Sequence, residues 1–142
     1  MLLSKEIVVQ LNLAACRLKQ YTANLLRKNN IELTPEQFLT IDVLWNQGSM
    51  SQTALASAMQ KDKNSVTKLV DALEAKGLVT RNRDKVDRRS NTIVLTEKAE
   101  QMKESTKQFG VSMLEDILDD IDEKELRSFL ATLKKLTDAM EG

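Results

Sequence analysis

The feature that most constrains this chain is a change of hydrophobic period at Gly77. Before it, Val66, Leu69, Val70 and Leu73 repeat at helical spacing. After it, Leu78-Val79-Thr80-Arg81-Asn82-Arg83 reads as a strand. Asp84 to Arg89 is charged and turn-like, and Asn91-Thr92-Ile93-Val94-Leu95 reads as a returning strand rich in β-branched residues. Glycine stops the helix by adopting a backbone that other residues resist. A hairpin therefore follows the helix directly.

The stretch before Gly77 carries two more helix starts. Asp62 can cap the helix just described, and Ser51 caps a shorter one with Leu55, Ala56 and Met59 on one face. A turn near Gln60-Lys61 joins them. Two short helices in this order, the second with a polar first turn, form a helix-turn-helix. Upstream, Thr34-Pro35-Glu36-Gln37 places a capping Thr, Pro at the first helical position and Gln at the third. Leu33 and Phe38 can staple that start, Phe38, Ile41, Leu44 and Trp45 mark the buried stripe, and Gly48 ends the helix. A first helix runs from a Ser4 cap to about Lys28, with Val8, Leu11, Ala15, Leu18 and Leu25 at helical spacing.

Downstream, Thr96 caps a long helix to about Asp120, with Met102, Phe109, Met113, Ile117 and Ile121 inside. Asp122-Glu123-Lys124-Glu125 reads as a capping box for a last helix striped by Leu126, Phe129, Leu130, Leu133, Leu136 and Met140. Only 4 Gly and 1 Pro interrupt 142 residues, which suits long helices with few connections. The expected class is mainly α with a small β-wing, in one domain.

Net charge is zero, but its distribution is not even. Residues 61–89 carry nine Lys/Arg against five Asp/Glu, while residues 97–142 carry seven against twelve. A local basic patch sets the field that a phosphate backbone feels. The first turn of the fourth helix offers Lys63, Asn64, Ser65, Thr67 and Lys68, donors and acceptors that can match base edges in a major groove. The hairpin adds Arg81, Arg83, Lys85, Arg88 and Arg89, which can reach a minor groove or adjacent phosphates. The partner expected is double-stranded DNA.

Other classes fit less well. With no His, the common general base and metal ligand are missing, and the scattered Gly residues build no phosphate loop. Asp119, Asp120 and Asp122 cluster where acidic helix caps are expected. Neither enzymatic activity nor a cofactor or metal is therefore expected. No apolar run approaches a membrane span, and the start, Met1-Leu2-Leu3-Ser4-Lys5-Glu6, lacks the order of a signal peptide. The expected compartment is the cytoplasm.

The order helix, helix, helix-turn-helix, wing, long helix, helix resembles the MarR family of bacterial transcription regulators over nearly the whole chain. The sharpest stretch is Leu73-Glu74-Ala75-Lys76-Gly77-Leu78-Val79-Thr80-Arg81, followed by Asp87-Arg88-Arg89-Ser90-Asn91-Thr92-Ile93-Val94-Leu95-Thr96. Ala99 departs from the Gly that many members carry there. The resemblance implies a winged helix-turn-helix over 31–99, with dimerisation helices at 1–30 and 100–142. It implies that Asp87 holds the Arg89 guanidinium ready for a minor groove, and that the homodimer represses from a pseudo-palindromic operator. It also implies release by a small aromatic or anionic effector in a pocket for which Arg17, Tyr21, Phe38, Trp45 and Met50 are candidates. Each of these has a plainer reading, as core packing or, for Arg17, as a surface ion-pair partner. Cys16 is expected to be a buried structural residue. The competing function is an architectural DNA-binding or protein-interaction module without an effector.

Overall fold

The computed structural model describes residues 2–83 and 91–141, with the backbone alone at 108. Among the described residues, nine elements follow in order: α1 (Leu3–Lys28), α2 (Pro35–Gln47), β1 (Met50–Ser51), α3 (Gln52–Met59), α4 (Lys63–Ala75), β2 (Val79–Arg83), β3 (Asn91–Leu95), α5 (Glu97–Leu118) and α6 (Glu123–Ala139). They divide into two compact units, Met1–Glu104 and Ser105–Gly142, the boundary falling within α5.

Local side-chain chemistry fixes most helix starts. Thr34 Oγ1 accepts from the Gln37 backbone N–H at 3.1 Å, and Gln37 Oε1 accepts from the Thr34 N–H at 3.2 Å, closing the capping box. Thr34→Ala removes that acceptor, so urea denaturation should show a loss of about 1 kcal/mol. Ser51 Oγ accepts from the Ala54 N–H at 3.0 Å, and Asp62 Oδ1 from the Ser65 N–H at 2.7 Å. Thr96 Oγ1 accepts from the Ala99 N–H at 3.3 Å and donates to the Gly77 carbonyl at 2.7 Å, tying the start of α5 to the end of α4. Two expected caps differ. Ser4 lies inside the first turn of α1, whose cap position is Leu2, and Asp122 precedes α6 without a side-chain capping bond.

Gly77 makes the change of period physical. Its φ is +73°. The Gly77 N–H donates to the Glu74 carbonyl and the Leu78 N–H to the Leu73 carbonyl, both at 3.0 Å, which is the Schellman pattern. Leu73 and Leu78 both belong to the core, so the helix stops and the strand starts around one buried contact region. At Gly48, φ +83° and ψ −174° place the backbone in a region open essentially to glycine alone.

The three strands form one antiparallel sheet in the order β1-β3-β2. Val79 pairs with Leu95, Arg81 with Ile93 and Arg83 with Asn91, so these pairs share one face. β1 was not expected; two residues are too short to show a period. Its Met50 pairs with Ile93, which attaches the α2–α3 junction to the sheet. The core of the first unit joins α2, α3, α4 and the sheet through Ile41, Leu44, Leu55, Val70, Leu73 and Ile93.

Several stripes read as buried are open in the single chain. On α1, Leu26 is buried, whereas Val8 and Leu18 are 57% and 51% exposed. On α5, Phe109 is buried, but Ile117, like Ile121 just after the helix, is exposed. No residue of α6 is buried, and Phe129 and Leu130 stand 59% and 51% exposed. Periodicity identifies a face that avoids water without identifying what covers it. Among the described residues, no helix is long and apolar enough to cross a membrane.

Candidate nucleic-acid interface

Burial divides α4 into two faces. Val66, Leu69, Val70 and Leu73 lie against the core. At about 100° per residue, Asn64, Lys68 and Asp71 fall opposite them, with Lys63, Ser65 and Thr67 on the flanks. Lys63, Asn64 and Lys68 are exposed, and Ser65 and Thr67 are half-buried. The five residues expected to meet DNA thus lie within six positions at the start of one helix.

Their freedom differs. The Thr67 hydroxyl donates to the Lys63 carbonyl at 2.8 Å and accepts from Gln52 Nε2 at 2.7 Å. Thr67 therefore ties α4 to the first residue of α3. Asp62 marks the entry to the helix; the Ser65 backbone N–H, its strongest partner, holds the Asp62 carboxyl below its ordinary range. Neither the Gln52 link nor the geometry at Asp71 and Glu74 below was foreseen from the sequence, because each depends on contacts between elements.

Arg81 sits differently from a free hairpin cation. Its Nη2 lies 2.5 Å from Asp71 Oδ1 and its Nη1 2.9 Å from Glu74 Oε1. Nη2 also donates to the Thr67 carbonyl at 3.4 Å, and the side chain is only 18% exposed. Arg83, at the end of β2, is exposed. Lys85, Asp87, Arg88 and Arg89 lie outside the described residues.

The effector candidates do not gather in one place within the first unit. Phe38 and Trp45 meet edge-to-face with centroids 6.0 Å apart. Trp45 Nε1 donates to the Ala99 carbonyl at 3.1 Å. Phe38, Trp45 and Met50 pack, partly buried, against the core. Tyr21 is half-buried on α1. Arg17 is exposed and lines a shallow groove with Gln10, Leu13 and Cys16, all on α1. A cleft of 530 Å³ beside the α1–α2 loop is lined by Arg27, Glu32, Leu33, Thr34 and Lys76, among others, and includes none of the five candidates. Cys16 is exposed, contrary to expectation: it lies opposite Leu11, Leu18 and Leu25 on the helix, outside the apolar stripe. Among the described residues, no three His, Cys, Asp or Glu side chains gather to hold a metal ion.

The profile of the MarR family matches residues 33–91, which run from the residue before the α2 cap to the first residue of β3. A MarR family protein from Bacillus stearothermophilus superposes with a TM-score of 0.72 and 29% identity, covering 98% of this chain and 96% of that one. The chain belongs to the MarR family. A protein of Thauera aromatica named for transcriptional regulation of the hcr operon is 31% identical over 104 residues. That alignment spans 73% of this chain and 63% of the relative's own length. The fold also matches S. aureus MepR, solved in complex with DNA, with a TM-score of 0.85, 24% identity, and coverage of 94% of this chain and 97% of that one. Within the MarR frame, α3 and α4 are the helix-turn-helix and β2 and β3 the described strands of the wing.

Proposed function

We propose that this MarR family chain is a homodimeric, sequence-specific DNA-binding transcriptional regulator that represses from a pseudo-palindromic operator. The observation that carries the reading is the divided surface of α4. One face is fixed in the core, and the other presents Lys63, Asn64 and Lys68 on a helix narrow enough for a major groove. Arg83 at the end of β2 is exposed, and the sequence that follows it carries Lys85, Arg88 and Arg89, with Asp87 two positions before Arg89 to orient it.

The dimer, with residues 1–30 and 100–142 as its proposed dimerisation segments, is supported by the apolar residues left open on α1 and α6. Two-fold symmetry would present the two α4 helices to successive major grooves about 34 Å apart. The relatedness to a protein named for transcriptional regulation, and the fold shared with a protein solved on DNA, support the same reading.

Selection of bound sequences from random DNA tests it. The expected result is an enriched pseudo-palindrome whose half-sites are one helical turn apart. Sedimentation at micromolar concentration should show a dimer. Enrichment of no sequence, with binding that falls steeply in salt, would instead favour an architectural role.

A further inference from the structure

We propose that Arg81 is a positioning residue that clamps β2 onto the exposed side of α4, and that it does not itself neutralise a DNA phosphate. The proposal rests on the DNA-binding reading above and adds a role within that site. Strand alternation places Arg81 on the face of β2 shared with Val79 and, across the ladder, with Ile93. Both of those residues are buried. A cation directed that way needs carboxylates, and α4 supplies two, at positions i and i+3 on adjacent turns. The planar guanidinium reaches Asp71 through Nη2 and Glu74 through Nη1, and Nη2 also meets the Thr67 carbonyl. Thr67 is in turn held by Gln52 of α3. One chain of polar contacts therefore runs from α3 through α4 to β2.

Two consequences follow for DNA. The clamp fixes where β2 leaves α4, and so fixes the wing relative to the reading helix before DNA arrives. It also balances carboxylates on the side of α4 that carries Asn64 and Lys68, where bare anions would repel a phosphate backbone. A lysine keeps the charge at position 81 but cannot match the fork geometry of two carboxylates.

The test compares Arg81→Lys, Arg81→Ala and the double variant Asp71→Asn/Glu74→Gln with the wild-type chain, on the selected operator and on random DNA, across a salt series. Circular dichroism first establishes that each variant is folded at the working temperature. Arg81→Lys should lose about tenfold in operator affinity and lose discrimination, with an unchanged slope of log affinity against log salt. If Arg81 contacts phosphate instead, Arg81→Lys keeps wild-type affinity, and Arg81→Ala lowers that slope by about one unit. That pair of results would overturn the proposal while leaving the function intact. Failure of the wild-type chain to discriminate operator from random DNA would count against the function itself. Hydrogen exchange on DNA-free protein then decides the clamp. Faster exchange across Val79–Arg83 in Arg81→Lys and in the double variant supports it, and unchanged exchange in both overturns it.

Discussion

Leu73→Ala is expected to lower stability by about 2–5 kcal/mol, read from urea or thermal unfolding. The side chain is fully buried and belongs to the same core cluster as Ile41, Leu44, Leu55 and Val70. Its carbonyl also receives the Leu78 N–H that closes the Schellman turn. Truncation leaves a cavity between helices and a sheet whose backbones are held by their own hydrogen bonds, so collapse into the space is limited. Domains of this size are stable by about 5–15 kcal/mol, so the loss removes a substantial share of the total. Leu39→Ala is the control: Leu39 is on α2 but 48% exposed, and its loss should cost within about 0.5 kcal/mol. A cost below about 1 kcal/mol for Leu73→Ala would mean that the α4 core is not packed as described.

Leu130→Asp on α6 should leave the single chain folded and convert the dimer to monomer. Leu130 is 51% exposed and its neighbour Phe129 is 59% exposed, so a carboxylate there meets water in the monomer at little cost. In a dimer that buries the α6 stripe, the same carboxylate would be desolvated without a partner. Monomerisation separates the two reading helices. Linked binding of two half-sites can exceed single-site binding by about 10²–10⁴-fold, and operator affinity should fall by that order. Sedimentation and operator titration read the two effects separately. A Leu130→Asp protein that still sediments as a dimer and binds the operator normally would move the interface away from α6.

The elements legible in the sequence are those specified by neighbouring residues. The capping box at Thr34, the caps at Ser51 and Asp62, and the stop at Gly77 each depend on a side chain or a φ angle acting within a few positions. Contacts between elements were less legible. β1 exists because Met50 lies opposite Ile93, a relation that a two-residue segment cannot signal. Ser4 and Asp122 have the composition of caps, yet neither makes a side-chain capping bond; composition makes a cap available without requiring it.

The site divides in the same way. The exposure of Lys63, Asn64 and Lys68 follows from helical spacing alone. Arg81 was grouped with the hairpin cations by charge, although its alternation with Val79 placed it on the buried face of β2. The alternation was visible in the sequence; Asp71 and Glu74 as partners were not, because they meet Arg81 only once α4 and β2 are packed. Phe38, Trp45 and Met50 are apolar, which suits a pocket wall and a core equally, and the structure packs them against the core.

The reading face of α4 is the central claim, and operator titration of Asn64→Ala and Ser65→Ala tests it most directly. Asn64 is exposed, and Ser65, though half-buried, is a small side chain outside the core cluster, so the fold should survive either change. A good bidentate base contact contributes about 1–3 kcal/mol of discrimination. Titration against the selected operator and a panel with each half-site base pair substituted should show at least one variant losing affinity by that amount, together with its preference at one position. Unchanged affinity and unchanged preference in both variants would contradict the claim and place the reading surface elsewhere on the protein.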